Sequence, residues 1–173
     1  TGYKNLMKIM SDAAINGFYY NARTDYETLR KHSEGLICLT ACLGGDVART
    51  IELEGYEKGK EKLMLYVDIF GENNVYIEIQ DNGIQEQYEM NEKLIELSRE
   101  TGVPLVATND IHYIKKEDYF YHDALMALQA KTTIDSTKRK IYDSDQFYLK
   151  SYDEMNTGRL PIEALENTNK IAE

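Results

Sequence analysis

Leu105-Val106-Ala107-Thr108, followed at once by Asn109-Asp110-Ile111-His112, is an apolar, β-prone run that opens into a polar loop. Such a run reads as a strand buried on both faces, the kind found in parallel sheets. Working outward, Leu36-Ile37-Cys38-Leu39-Thr40 and Val75-Tyr76-Ile77-Glu78-Ile79 have the same character. Each is followed by helical spacing. After Gly44-Gly45, Tyr56, Leu63, Val67 and Phe70 lie on one helix face; Met90, Leu94 and Leu97 form a second face ended by Gly102; Tyr121, Leu125 and Leu128 form a third. Gln146-Phe147-Tyr148-Leu149 is a fourth strand candidate, with Ser151 as the cap of a short helix, and Pro161 opens a terminal helix from Ile162 to Ala172.

The segment before the first strand is helical. Leu6, Ile9, Met10 and Ala13 make an i, i+3, i+4, i+7 stripe with Gly17 as a stop, and Thr24 is placed to cap a brief helix reaching His32 and closed by Gly35. Strands alternating with helices of this length predict an α/β fold with mostly parallel strands and right-handed crossovers. An open doubly wound sheet and a closed barrel both satisfy the pattern. No linker or repeat interrupts it, so residues 1–173 are expected to form one domain or part of one.

Composition narrows the functions. Apolar residues make up 42% and charged residues 29% of the chain, ordinary for a globular protein. No run of about 20 apolar residues suits a membrane span, and Thr1-Gly2-Tyr3-Lys4-Asn5 is not signal-like, so a cytoplasmic location and no membrane partner are expected. The chain starts almost directly in a helical pattern, which reads as an internal piece of a longer protein. Its 20 Lys plus Arg against 30 Asp plus Glu leave a formal charge of −10, which opposes independent binding to DNA.

In parallel α/β folds the reactive groups collect at the carboxyl ends of the strands. Cys42, Asp81, Asp110 and His112 all fall there. A carboxylate and an imidazole two residues apart offer mixed oxygen and nitrogen ligation to Zn, Mn or Fe, and a thiolate from a neighbouring strand end can join them. The competing reading has Asp110 capping a turn, His112 bonded to a backbone carbonyl and Cys42 as a small buried hydrophobe. Cys38, on a strand with Cys42, does not share a face with it as on a helix and is read as core. His32 reads as solvated, and His122 beside Asp123 as exposed or as a partner to a ligand. Glu78 and Asp81 could pair for acid-base work, although a single ion pair explains them as well. The 14 tyrosines, against four Phe and no Trp, read as core edge, not as base-stacking platforms. No Walker loop, dinucleotide fingerprint or serine hydrolase elbow occurs.

Several segments in order, Thr1-Gly2-Tyr3-Lys4-Asn5-Leu6, Gly35 through Gly45, Tyr76-Ile77-Glu78-Ile79-Gln80-Asp81, Val106 through Tyr113, His122-Asp123-Ala124-Leu125 and Phe147-Tyr148-Leu149-Lys150-Ser151, resemble the polymerase and histidinol phosphatase (PHP) domain of bacterial DNA polymerase III alpha subunits. The resemblance implies a distorted seven-stranded (β/α) barrel, of which residues 1–173 would be the C-terminal part. It implies that Cys42, Asp110 and His112 are ligands in a cluster of up to three ions, Zn or Mn, whose other ligands precede Thr1, so that this chain alone would be metal-free or weakly loaded. A departure is Asn82, where relatives often have His, which puts a catalytic role for that loop in doubt. For the longer protein it implies template-directed nucleotidyl transfer at a Mg²⁺ site outside this chain, with DNA, deoxynucleotides, a sliding clamp and other replicase subunits as partners. The PHP part would be a metal-dependent 3′ to 5′ exonuclease or a scaffold docking a separate exonuclease subunit. A PHP-type phosphoesterase is the remaining alternative.

Overall fold

The computed structural model describes residues 1–136, 138–139, 141–142 and 144–173. Helices α1 (Gly2–Ile15) and α2 (Tyr26–Lys31) lead to strand β1 (Cys38–Leu39). Then follow α3 (Asp46–Glu54), α4 (Tyr56–Phe70), β2 (Val75–Gln80), α5 (Gln85–Thr101) and β3 (Leu105–Thr108). A 3₁₀ turn at Lys116–Asp118, α6 (Tyr119–Gln129), α7 (Tyr152–Met155) and α8 (Ile162–Ala172) complete the described elements. The three strands form one sheet in the order β1-β2-β3, and β1 runs parallel to β2 with Cys38 opposite Val75. This is the mixed helix and strand architecture that the alternating pattern predicts.

Two compact units can be described separately. The first comprises Thr1–Ile77 with Leu97–Pro104. Its core is built where α3 crosses α4: Val47, Ala48 and Ile51 bury against a helix whose own inward residues are Leu63, Val67 and Ile69. Gly59 permits that crossing, since a Cβ there would overlap the side chain of Ile51. The predicted helix through Tyr56 is preceded by this separate helix. Gly55 adopts a φ of 100° and breaks the two apart, a conformation costly for any residue with a side chain.

Other expectations are corrected here. Asp25, not Thr24, caps α2, because its carboxylate accepts from the backbone N–H of Thr28. The stripe on α1 is only half used: Ile9 and Ala13 are buried with Asn5, while Leu6 and Met10 are exposed. The strand expected at 36–40 shortens to Cys38–Leu39 and is not buried on both faces, with Ile37 44% and Leu39 37% exposed. β1 is the edge of the described sheet, so only one of its sides is covered by a strand. Cys38 is accordingly half-buried, not core, and neither cysteine forms a disulfide.

The second unit comprises Glu78–Glu96 with Leu105–Glu173. Leu105, Val106 and Ala107 are buried as their sequence predicts. α8 lies on β3, inserting Ala164 and Leu165, and the Asn167 amide donates to the Leu105 carbonyl at 2.7 Å. α7 begins with Ser151 in a capping box with Glu154, as expected. Gln146–Leu149 is not a full strand: it makes a single parallel bridge, Tyr113 to Tyr148. α6 forms where its periodicity places it but turns Ala127 inward, leaving Tyr121, Leu125 and Leu128 exposed.

Candidate functional site

The loop after β3 is held by side-chain amides. Asn82, 0% exposed, donates from Nδ2 to the carbonyls of Asn109 at 2.9 Å and Gln146 at 3.3 Å. Its Oδ1 accepts from Gln87 Nε2 at 2.9 Å, and its backbone N–H donates to Gln87 Oε1 at 2.8 Å. The Asn109 amide reaches the Tyr148 carbonyl, and Ser144 donates to the carbonyl of Asn82. His112 N–H donates to the Phe147 carbonyl at 2.8 Å, and Leu149 N–H to that of Tyr113 at 3.2 Å. A buried polar network is stable only when its members are satisfied, and this one closes on itself.

Within this frame Asp110 sits at φ 48°, a left-handed conformation uncommon for a residue with a side chain. It places the Asp110 carbonyl 2.6 Å from His112 Nδ1, with the Asp110 carboxylate 4.0 Å from the same nitrogen. A carbonyl can only accept, so Nδ1 carries the proton and Nε2 keeps a lone pair. Nε2 is then the ring nitrogen through which this histidine could ligate an ion. Nε2 lies 3.3 Å from the Tyr142 hydroxyl. The imidazole, 26% exposed, is walled by the rings of Tyr142, Phe147 and His122 at 5.3, 5.1 and 5.5 Å.

The surrounding titratable groups have separate explanations. Burial holds the His122 imidazole below its ordinary value, and the neighbouring His112 adds to this. Asp123 does not orient His122. It is held by Arg139 through contacts of 2.5 and 2.6 Å, which keep its carboxyl below the usual range. Burial also lowers Lys150, whose ammonium donates to the Asp81 carbonyl at 3.1 Å. Tyr113, 9% exposed, has a hydroxyl with no hydrogen-bond partner among the described residues.

The suggested pairing of Glu78 with Asp81 is replaced by separate partners for each. Glu78 accepts from Thr108 and, at 3.3 Å, from Gln80. Asp81, nearly buried, accepts from the hydroxyls of Tyr88 at 3.0 Å and Thr157 at 2.7 Å, with Arg159 at 3.8 Å. Both carboxylates are occupied in holding their surroundings together.

Cys42 lies in the first unit, in the turn between β1 and α3. Ala41 adopts φ 65°, and Gly45 N–H donates to the Cys42 carbonyl at 2.7 Å. A Cβ at Gly45 would overlap the Thr40 carbonyl, so the turn requires glycine. Immediately after it, Asp46 accepts from the hydroxyls of Tyr26 and Tyr66 at 3.0 and 2.9 Å, with Lys62 at 3.4 Å.

Thiolate, carboxylate and a neutral imidazole suit a borderline divalent ion such as Zn or Mn, and the His112 tautomer fits that use. Among the described residues no three His, Cys, Asp or Glu side chains are grouped to hold one. Sequence reasoning singled out Asp110 and His112 but missed Asn82 as their support and Tyr142 as the group facing Nε2. In the sequence Asn82 stands out only as a departure from histidine, and nothing local marks Tyr142.

Residues 1–82 match the PHP domain family. The similarity then extends over nearly the whole chain to proteins named DNA polymerase III subunit alpha. The one from Borreliella burgdorferi is 42% identical over 174 residues, covering 99% of this chain and 15% of the relative. That from Thermus aquaticus is 41% identical over 177 residues, covering 99% and 14%, and that from Aquifex aeolicus 47% over 133 residues, covering 77% and 11%. The chain thus spans about 15% of the length of the curated relatives it matches. No helix among the described residues is long and apolar enough to cross a membrane.

Proposed function

We propose that this chain is a segment of a DNA polymerase III alpha subunit, the C-terminal portion of its PHP domain, and that Cys42, Asp110 and His112 are its contribution to a divalent metal site. The observation that carries the first part is identity above 40% along 99% of the chain with proteins of that name. The second part is supported by the His112 tautomer, which puts the ring's one lone pair on Nε2. The parallel β and α units would belong to a distorted (β/α)₇ barrel.

The longer protein would polymerise deoxynucleotides on a DNA template in the bacterial cytoplasm, using Mg²⁺ at a centre outside this chain and working with a sliding clamp and other replicase subunits. The formal charge of −10 weighs against this segment gripping DNA, which other regions of the longer protein would do. Zn or Mn at the PHP site would activate water for 3′ to 5′ removal of a terminal nucleotide, or would serve as structural support. Here the chain's own residues act as holders: Asp110 fixes the imidazole through its carbonyl, and the Asn82 network fixes Asp110. A second reading, a scaffold that docks a separate exonuclease subunit, is favoured by the exposed apolar stripe Tyr121, Leu125 and Leu128 on α6.

The test uses the full-length protein containing this segment. Primed template, deoxynucleotides and Mg²⁺ should give extension; no extension overturns the polymerase assignment. Mismatched primer ends with Mn²⁺ or Zn²⁺ should then be trimmed, and His112→Ala should reduce trimming by about 100-fold or more while extension persists. Trimming that His112→Ala leaves intact overturns the metal role. Absence of trimming in the unaltered protein selects the scaffold, and hydrolysis of a small phosphomonoester without extension selects a PHP phosphoesterase.

A further inference from the structure

We propose that Tyr142 is a latch on His112: its hydroxyl holds Nε2, and an incoming divalent cation must displace it. The inference rests on the metal-site reading above and concerns what the chain does with that nitrogen before an ion arrives. Because Nδ1 donates to the Asp110 carbonyl at 2.6 Å, the only in-plane lone pair of the ring is on Nε2. The Tyr142 oxygen lies 3.3 Å away, so the phenol donates and the imidazole accepts. One lone pair cannot serve a proton donor and a metal ion together. Hydroxyl and cation therefore compete for the same atom.

The latch is held from its own side. The Tyr142 carbonyl accepts from the Tyr119 hydroxyl at 2.8 Å, at the start of α6, and the Tyr142 ring meets Phe147 and His122 at 5.1 and 5.3 Å. Phe147 also touches the His112 ring, so both partners of the hydrogen bond lean on one aromatic wall. The ring of Tyr142 thus orients the imidazole, while its hydroxyl occupies the nitrogen. At 3.3 Å the bond is long, which makes it a weak competitor and sets the expected effect at about two- to tenfold in metal affinity.

Tyr142→Phe keeps the ring and removes the hydroxyl; Tyr142→Leu removes both. With the full-length protein that contains this chain, stripped of metal and above the titration range of histidine, nitrogen NMR should show His112 protonated on Nδ1 in the unaltered protein and in Tyr142→Phe. The Nε2 resonance should move toward that of an unbonded nitrogen in the latter. Zn²⁺ should then bind about two- to tenfold more tightly to Tyr142→Phe than to the unaltered full-length protein, in the fraction of binding abolished by His112→Ala. Tyr142→Leu should lose that gain because the imidazole is no longer oriented.

An Nε2 resonance unmoved by Tyr142→Phe overturns the latch. A moved resonance with unchanged Zn²⁺ affinity overturns the competition. If no Zn²⁺ reaches His112 in any variant, the metal-site reading fails and the competition with it, while the metal-free resonance still reports the hydrogen bond, so the two failures are told apart.

Discussion

The turns that follow β1 and β3 solve the same problem by different means. Each carries a candidate ligand just past a strand, and each contains one non-glycine residue in left-handed conformation, Ala41 at φ 65° and Asp110 at φ 48°. After β1 the conformation is set by backbone closeness: Gly45 presses against the Thr40 carbonyl and bonds to that of Cys42. After β3 it is set by side chains, through Asn82, Asn109 and Gln87. Strained residues persist where their surroundings over-determine them. Here one loop is over-determined by a missing side chain and the other by amides added to the interior.

The largest expected effect breaks the β3 loop. Asn82→Ala removes a fully buried amide and takes its N–H donors from the carbonyls of Asn109 and Gln146, while Gln87 keeps its bonds to the backbone of residue 82 and to Gln80. Unfolding in urea should show a loss of about 3 kcal/mol. Hydrogen exchange at residues 109–113 should rise with it. A loss under about 1 kcal/mol would mean that water replaces the amide and that the network is not what holds Asp110.

Gly45→Ala is the matching break in the other loop. The added Cβ meets backbone, which cannot swing aside as a side chain can, and the expected loss is about 2 kcal/mol, confined to the Cys42 turn and the start of α3. If Gly45→Ala loosened residues 109–113 as much as residues 42–46, the two loops would not be independently determined, and the contrast between them would collapse.

This contrast also explains what could be read from sequence. β2 and β3 were legible because Val75 to Ile79 and Leu105 to Thr108 are short β-prone runs bounded by helix-ending glycines and polar loops. The terminal helix was legible from Pro161. The facing of α6 was not, since Tyr121, Leu125 and Leu128 have the right spacing for a core stripe and only tertiary packing decides that Ala127 faces inward. Asp110 and His112 stood out by residue type and position. Their supports did not: Asn82, Gln87 and Asn109 are ordinary surface residues in composition, and their burial follows from partners far along the chain, such as Gln146 and Tyr148. The same holds for Tyr142, which meets His112 across 30 positions.

Acid sharpens the comparison with the smallest effect. The amides around Asn82 do not titrate, but Asp46, the first residue of α3 beside Gly45, does. Burial pushes its carboxyl up, and hydrogen bonds from Tyr66 and Tyr26 with the Lys62 ammonium outweigh that, leaving it below its ordinary 3.8. The folded chain therefore releases this proton more readily than the unfolded one. Its contribution to stability is complete above the unfolded value and is lost as pH falls through the lower, folded one. Between about pH 5 and pH 2 the stability advantage of the unaltered chain over Asp46→Asn should shrink, and hydrogen exchange corrected for its intrinsic pH dependence should quicken at residues 42–50. An advantage that stays constant across that range would show that the two tyrosines bond equally well to a neutral acceptor.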